Sequence, residues 1–376
     1  MRRAIRSRRG FTLIEMMISL LISTLLVIMI LSIFARMSFS YREQQQIVAL
    51  QQSLAAARQA FEQDAKQAGL MMSQGFNVAN PLTVGNNRVS PIEITNSATG
   101  PDQVAFYYAD TSKQALVTAG TLKTAPLVID SKDAFTVGEV VVLSLADTSS
   151  FANPLSIDDA KIAKFAACVV QIASISGTAP ATITFSTAAP WGQVGNGHCP
   201  NAVPYGTMMY KFVAHAWRID TSRPDLAPLQ MSTTGNLVSP NVSFTDQAYG
   251  FTDIQTSTYF YDGNGLDTAD PDTDGDRDWY SSTDQFNFTK PIPVASTFLP
   301  PLMMTISLVN RTAGGIEGIT TSATPLLSEV GNTTNNPTGD HASVTLPSAT
   351  DPLLMGNRIY RYITFQVDLR NMGVGR

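Results

Sequence analysis

The chain opens with a long helical pattern that is apolar on every side. No glycine or proline occurs from Phe11 to Ala68, and the residues from Phe11 to Ala35 are almost all apolar. An apolar stretch of this length can cross a bilayer core of about 30 Å as a helix. The pattern therefore predicts a helix over residues 11–35 that faces lipid or other apolar helices.

Further along, the apolar residues of the same predicted helix fall on one face. From Tyr41 onward, apolar residues recur at spacings of three and four among many glutamines: Ile47, Leu50, Leu54, Ala57, Phe61, Ala65 and Ala68. This spacing is typical of an amphipathic helix that lays one stripe on a folded domain. Gly69 supplies a helix stop, so the amphipathic half is predicted over residues 36–70. A continuous helix up to Ala68 would be about 87 Å long, more than one folded domain needs.

The pattern after Gly69 predicts a β-rich domain. Short β-branched and aromatic runs alternate with clusters of Gly, Pro, Asn and Ser, as expected of antiparallel strands and turns. The candidate strands are Val104–Tyr108, Leu127–Ile129, Glu139–Leu145, Ala163–Ile175, Ala181–Phe185, Met208–Ile219, Ile254–Tyr261, Met303–Asn310 and Ile359–Leu369. The stretches 75–100 and 311–351 are predicted as loops or insertions. The fold class is α+β: a long N-terminal helix, hydrophobic and then amphipathic, packed on a β-rich antiparallel globular domain over residues 71–376.

A basic leader, residues 1–10, precedes the apolar segment. It contains five arginines and ends in Gly10. A secretory signal places its apolar run before the cleavage site and loses it on processing. Here the one plausible cut, between Gly10 and Phe11, precedes the apolar run, so processing would keep the helix. The arginines are a positive-inside signal that holds the N-terminus in the cytoplasm and points to an exported body.

The net charge and the cysteine content indicate which partners and which bonds to expect in that body. The chain carries a net charge of −5, and loss of the five leader arginines leaves 20 basic against 30 acidic residues, a charge of −10. Such acidity offers nucleic acid no general attraction, so no nucleic-acid partner is expected. In an exported body the two cysteines, Cys168 and Cys199, favour a disulfide, with two unrelated buried thiols as the alternative. Closing that loop contributes about 3–4 kcal/mol in the chain-entropy model.

An aspartate-rich segment follows the predicted strand Ile254–Tyr261. Its candidate calcium ligands alternate along the chain: Asp270, Asp272, Asp274, Asp276 and Asp278. Alternating carboxylates with a glycine between them, here Gly275, match the start of an EF-hand-type loop. Ser281 occupies the twelfth position, where a bidentate glutamate is expected, and a solvated acidic loop is the alternative. Calcium is the one candidate cofactor.

Catalytic patterns do not stand out in the sequence. His198, His215 and His341 are the only histidines, and they form no HExxH pair. The chain also shows no nucleophile-elbow glycine pattern and no Gly-rich phosphate loop after a strand. His215 is expected to be packed or surface-exposed rather than a ligand. We therefore expect a protein that is not an enzyme.

The leader, the cut and one carboxylate stand in a fixed register: Arg8-Arg9-Gly10, then Phe11-Thr12-Leu13-Ile14-Glu15. This register resembles the prepilin leader of type IV pilins and type II secretion pseudopilins. The resemblance implies that prepilin peptidase cuts after Gly10 and methylates Phe11, and that residues 11–35 form a transmembrane helix that becomes the filament core. It also implies that Glu15 pairs with the N-terminal amine of a neighbouring subunit during assembly.

A plain signal anchor is the main alternative for this helix. A carboxylate within an apolar helix costs a few kcal/mol unless it is paired, protonated or near the interface. Glu15 lies about 6 Å along the axis from Phe11 and could reach the cytoplasmic face of the membrane. Assembly is favoured because it explains both the position of the carboxylate and the processing that creates the amine.

Further stretches narrow the resemblance to the PilW-type minor pilins of type IV pili. They are the helix end 60–69, the turn 261–265, the late strand 302–311, and the closing segments 358–361 and 369–371. The resemblance implies a low-abundance subunit that primes assembly or forms part of the pilus tip. The implied partners are other minor pilins and the major pilin through the N-terminal helix, prepilin peptidase, the inner-membrane assembly platform and a tip adhesin. The implied location is the inner membrane, with one pass and a periplasmic body, and then the extracellular pilus.

Two other functions stay open from the sequence. The first is a minor pseudopilin of a type II secretion system. One large subunit of that system binds calcium but typically lacks the glutamate, whereas the J-type pseudopilin keeps it and is usually shorter. The second is a membrane-anchored extracytoplasmic adhesive or binding module, for which the helix is only a tether.

Overall fold

The computed structural model describes residues 12–72, 76–77, 88–89, 91–95, 97, 100–121, 126–133, 135–144, 167–186, 203, 206–223, 225–233, 243–260, 278–280, 303–312, 358–369 and 371. Their elements are one helix, α1 (Leu13–Gln67), and the strands β1 (Phe76–Asn77), β2 (Arg88–Val89), β3 (Ile92–Thr95), β4 (Gln103–Ala119), β5 (Leu127–Ile129), β6 (Val140–Ser144), β7 (Ala167–Gly177), β8 (Ala181–Phe185), β9 (Met208–Ile219), β10 (Leu229–Ser232), β11 (Thr245–Ala248), β12 (Phe251–Phe260), β13 (Asp278–Tyr280), β14 (Met303–Arg311) and β15 (Tyr360–Asp368). The chain divides into two compact units, Met1–Ala49 and Leu50–Arg376.

α1 ends at the glycine that the sequence marks as its stop. The Ala68 N–H still donates to the Asp64 carbonyl at 2.9 Å, and Gly69 follows with a φ of 77°. Residues with a Cβ rarely adopt that φ, which is why glycine commonly follows the last turn of a helix. The Gly69 N–H then donates to the Tyr107 carbonyl at 2.9 Å and ties the helix end to β4. The predicted helix end is confirmed.

Within the Leu50–Arg376 unit, the last turns of α1 pack on two sheets. The buried apolar residues of the helix are Leu50, Leu54, Ala57, Phe61 and Ala65. They share one core with residues of β3, β4, β9, β10, β12, β14 and β15. The fully buried Phe61 ring lies 4.7 Å from the Trp217 ring, centroid to centroid. The predicted stripe is confirmed from Leu50 to Ala68, and Ile47 before it is half-buried.

The strands form a large and a small sheet. The large sheet has the order β11-β10-β9-β4-β5-β8-β7-β1-β2, with β3 beside β4 and with β6 beside β7 and β9; the small sheet has the order β13-β12-β14-β15. Among the described strands every pairing is antiparallel except the two-residue contact of β1 with β7. The predicted α+β fold, with one long N-terminal helix and an antiparallel β-rich domain, is confirmed.

Six strands of the large sheet close into a ring. Its order is β4-β5-β8-β7-β6-β9, and β9 pairs again with β4. Alternate side chains of these strands, together with Phe135 between β5 and β6, form a second core of Ala115, Val117, Leu127, Ile129, Phe135, Val141, Leu143, Cys168, Val170, Ile172, Ala181, Ile183, Phe185 and Met209. We call this ring, from Ala115 on β4 to Met209 on β9, the barrel. We call Leu50–Gln67 of α1, with the sheet strands of its core, the scaffold.

The strand predictions agree with the structure to different degrees. β5, β8 and β9 have the predicted bounds, whereas β4 continues past Tyr108 to Ala119 because its second half enters the barrel. The prediction of loops over residues 75–100 is wrong at β1, β2 and β3, and Ile92 and Ile94 of β3 are buried in the scaffold core. Most of the stretch 311–351 lies outside the described residues.

Candidate functional site

The N-terminal part of α1 is apolar on every side. Each side chain from Thr12 to Arg42 is exposed. Large apolar residues that remain exposed include Leu13, Ile14, Met16, Met17, Ile18, Leu20, Leu21, Ile22, Leu25, Leu26, Val27, Ile28, Met29, Ile30, Leu31, Ile33 and Phe34. Removing such surface from water is strongly favourable, so this segment requires lipid or other apolar helices around it. By length and composition, α1 could cross a membrane.

The hydroxyl groups of this segment are hydrogen-bonded within the helix. Ser19, Ser23, Thr24 and Ser32 each donate to the carbonyl three residues earlier, at distances of 2.8–3.0 Å. Hydroxyl groups bonded in this way are tolerated in an apolar medium. Glu15 is the only charged residue from Thr12 to Ala35. It is therefore the one side chain of this segment whose transfer into lipid carries a large penalty.

Glu15 closes the first turn of α1 through a capping box with Thr12. The Thr12 backbone N–H donates to Glu15 Oε2 at 3.0 Å, and the Thr12 hydroxyl donates to the same oxygen at 2.9 Å. In return, the Glu15 N–H donates to Thr12 Oγ1 at 3.3 Å. Such reciprocal bonds satisfy donors that the first helical turn leaves without partners. The Thr-x-x-Glu spacing is the sequence signal for this contact, and the sequence-based prediction for Glu15 did not use it.

The capping box holds the carboxylate at the N-terminal end of α1. A negative charge is favourable there because it faces the positive end of the helix dipole. Cleavage before Phe11 would create an ammonium group one residue from Thr12, and an ammonium with a carboxylate makes a charge-assisted hydrogen bond. Gly10 and Phe11 lie outside the described residues, so their processing stays a prediction.

The same N-terminal segment matches a known family. Residues 5–31 match the family described as the prokaryotic N-terminal methylation motif. The motif thus spans the predicted cut between Gly10 and Phe11 and most of the apolar segment that follows it. The motif and the apolar helix together fit a pilin anchored in the inner membrane.

Comparison of the whole chain with other proteins adds little beyond this motif. A type IV-like pilin from Thermus thermophilus is among the similar solved structures, with 8% identity, a TM-score of 0.37, and coverage of 86% of this chain and 98% of that chain. No curated protein matches the sequence. A TM-score of that size supports no conclusion about this protein, so its fold is described from its own helix and sheets.

A second candidate site joins α1 to the large sheet within the Leu50–Arg376 unit. The Asp64 carboxylate is buried, and Trp217 Nε1 donates to its Oδ2 at 2.8 Å. His215 Nδ1 lies 2.8 Å from Oδ1, and the Tyr108 hydroxyl donates to the same oxygen at 3.4 Å. We call Asp64, Tyr108, His215 and Trp217 the helix lock. A buried carboxylate is tolerated only with such partners, so the lock fixes α1 at one position on the sheet.

The helix lock also resolves which face of β9 meets the helix. The alternation along β9 does not itself tell whether the face with His215 and Trp217 or the face with Phe212 and Ala214 meets the helix. The contacts with Asp64 place the His215 face toward α1. Burial, together with the charge of Asp64, raises the pKa of Tyr108 above its ordinary value, so its hydroxyl remains a neutral donor. His215 is half-buried and packed, in line with the expectation from the sequence.

The described residues include one of the two cysteines. Cys168 lies on β7, is fully buried in the barrel core and is disulfide-bonded. Cys199 lies outside the described residues. The pairing of Cys168 with Cys199 therefore stays a prediction.

The predicted calcium loop is mostly outside the described residues. Asp270, Asp272, Asp274 and Asp276 lie there, and Asp278 opens β13, where it pairs with Phe260 of β12. Within the part of the chain that the structure describes, no group of three or more His, Cys, Asp or Glu residues could hold a metal ion. Calcium binding stays a prediction.

Proposed function

We propose that this protein is a minor pilin of the type IV pilus. In this proposal the chain is cleaved after Gly10, methylated on Phe11, and incorporated into the filament, where it primes assembly or forms part of the tip. One observation carries the proposal: an apolar helix segment exposed on every side bears a single carboxylate, Glu15, held at the end next to the processing site.

A tether and a filament subunit place different demands on this helix. A tether needs only apolar surface, and a carboxylate in it is a penalty of a few kcal/mol without a benefit. In a filament the same carboxylate neutralises the Phe11 ammonium of the adjacent subunit, so two charges that are unfavourable alone are buried as a pair. Cleavage before Phe11 and retention of Glu15 are then parts of one mechanism.

The size of the body favours a minor subunit over the major fibre protein. The chain has 376 residues, and a small repeated fibre subunit does not need a body of this size. Its partners are other minor pilins and the major pilin through the N-terminal helix, prepilin peptidase, the inner-membrane assembly platform, and a tip adhesin. It starts as a single-pass inner-membrane protein with a periplasmic body and later belongs to the extracellular pilus.

Mass spectrometry of the N-terminal peptide tests this proposal. Membranes and sheared filaments should both yield a peptide that starts at N-methylated Phe11. A Gly10→Val variant should keep the leader and stay out of filaments, while a matched Ser7→Ala variant should be processed normally. A mature chain that starts beyond the apolar segment, or a retained leader in the unaltered protein, would contradict the proposal.

The same fractions separate a pilus subunit from a pseudopilin. Deleting the pilus assembly platform should remove the protein from the sheared fraction, whereas deleting a type II secretion platform should leave it there. The reverse result would assign the protein to the secretion system. Presence of the processed protein in membranes alone, under all conditions, would support the tethered binding module.

A further inference from the structure

The chain passes from the scaffold into the barrel and returns to the scaffold at neighbouring residues. β4 carries the chain out of the scaffold and β9 carries it back. The two strands stay paired throughout, with Asp110 opposite Lys211, Gln114 opposite Tyr210 and Ala115 opposite Met209. The residues between these positions form one continuous insertion whose two ends are adjacent. Insertions with adjacent ends are the kind that domains accept without loss of their own fold.

The barrel has its own apolar core. Its core residues and those of the scaffold form two separate clusters. Leu127, Ile129 and Ile183 are fully buried inside the ring. Because the ring closes on itself, its six strands have pairing partners on both sides without borrowing a strand from the small sheet.

Polar residues mark the junction between the two cores. The pairing of β4 with β9 slips between Asp110 and Gln114, where the chain bulges. Glu139 Oε1 lies at this level, 3.4 Å from Lys113 Nζ and 3.7 Å from Lys211 Nζ. These charged side chains lie at the surface of the junction, since those of Lys113 and Lys211 are 40% and 36% exposed.

Among the described residues, the barrel also contacts the rest of the chain in two places. β1 pairs with Ala167 and Cys168 of β7, and one contact between the barrel and the scaffold is apolar. Val142 and Val169, from strands of the ring, share a third cluster with Tyr107 and Phe212. The Tyr107 and Phe212 rings stack with centroids 5.9 Å apart. Both rings belong to the scaffold halves of β4 and β9, so the barrel rests on the scaffold while each keeps its own core.

We propose that the barrel, residues 115–209, is a separable module that filament incorporation does not require. The scaffold and α1 place the subunit in the filament, and the barrel is the part that the subunit carries and displays. The first half of this proposal concerns folding and stands without the proposed function. The second half, on incorporation, rests on the chain being a pilin.

Matched leucine variants test the folding half with the full chain under oxidising conditions. Leu127→Ala opens the barrel core, and Leu54→Ala opens the scaffold core; both leucines are at most 5% exposed. Calorimetry of the unaltered protein should resolve two unfolding transitions. Each variant should lower the midpoint of a different transition by on the order of 10 °C and leave the other within error. A single transition that both variants lower equally would overturn the proposal.

Excision tests the incorporation half. Replacing Thr111–Tyr210 by Asn-Gly joins Asp110 to Lys211, which already pair across β4 and β9. The N–H groups of Tyr107 and Ala109 point away from β9, to the Pro91 and Leu70 carbonyls, so Asp110 faces β9 as a two-residue hairpin requires. The excised variant and Leu127→Ala should both enter filaments at the level of the unaltered protein.

The outcomes of these experiments remain distinct. Exclusion of the excised variant and of Leu127→Ala from filaments that contain the unaltered protein would overturn the display role. Loss of the scaffold fold on excision would overturn separability. Absence of the unaltered protein from filaments would instead contradict the proposed pilin function, and the two calorimetric transitions would still decide the folding half.

Discussion

Replacing Asp64 with alanine is the sharpest test of how α1 is fixed to the sheet. The change removes the acceptor of the helix lock and leaves its donors in place. Trp217 is 4% exposed, and its Nε1–H has the 2.8 Å bond to Asp64 Oδ2. In the variant that N–H stays buried without its carboxylate, and His215 Nδ1 loses its 2.8 Å contact as well.

The expected loss follows from these contacts. A buried donor left without its acceptor costs about 1–3 kcal/mol. The cavity left by the small carboxylate adds roughly 1 kcal/mol. We therefore expect Asp64→Ala to lower the free energy of unfolding by about 2–4 kcal/mol. Asp64→Asn keeps one acceptor oxygen and should lose less.

Glu62, two residues away on α1, provides the matched control. Its carboxylate lies 2.6 Å from Arg58 Nε and 3.3 Å from Lys66 Nζ, and those two basic side chains are 48% and 55% exposed. Solvent screens such pairs, so Glu62→Ala should cost less than about 1 kcal/mol. Urea unfolding followed by circular dichroism gives both values on the purified full chain in detergent.

A double-mutant cycle with Trp217→Phe isolates the buried bond. Phenylalanine has no side-chain N–H that could be left without an acceptor. Asp64→Ala should therefore lower the free energy of unfolding by about 1 kcal/mol less in the Trp217→Phe background than in the unaltered protein. Equal costs in both backgrounds, or an Asp64→Ala cost no larger than that of Glu62→Ala, would refute the helix lock.

Three further predictions concern the rest of the body. Cys168→Ser should lower the free energy of unfolding by about 3–4 kcal/mol, as should reduction of the unaltered protein, and reduction should have no further effect on the variant. Calorimetric titration with calcium should give a binding isotherm that Asp274→Ala abolishes; no heat in the unaltered protein would end the calcium hypothesis. The Ser222 hydroxyl and then Arg223 lower the pKa of Asp220 to about 2, below the roughly 3.9 of an unfolded aspartate. The folded state then binds fewer protons than the unfolded state, so this contribution is present above about pH 4 and is lost as pH falls toward 2. Urea midpoints measured across that range should fall less steeply in Ser222→Ala.

The sequence predicted those parts of the fold that depend on local periodicity. α1 and its buried stripe follow from residue spacing, and β5, β8 and β9 follow from short β-branched runs between turn residues. β3 was missed because Ile92 and Ile94 lie within a stretch whose Asn, Thr, Gly and Pro content dominates its composition. Composition reports the average of a stretch and can hide a four-residue strand.

The closure of the barrel and the helix lock could not be predicted in the same way. An alternating pattern tells which face of a strand is buried but not which strand lies beside it. β6 pairs with β9 through Val142 and Tyr210, far apart in the sequence. Trp217 binds an acid 153 positions earlier. The one local signal was that Asp64 lies on the buried stripe beside Phe61, where a carboxylate needs a distant partner.

In the proposed function, Glu15 serves assembly rather than anchoring. The most direct measurement is the ratio of Glu15→Ala protein in sheared filaments to that in membranes, with Ser19→Ala, one turn along the same segment, as the matched control. We predict normal cleavage and a normal membrane level for both variants. The filament ratio should fall at least about tenfold for Glu15→Ala, since the lost pair is worth more than 1.4 kcal/mol, and stay unchanged for Ser19→Ala. Entry of the Glu15→Ala variant into filaments at the level of the unaltered protein would contradict the claim.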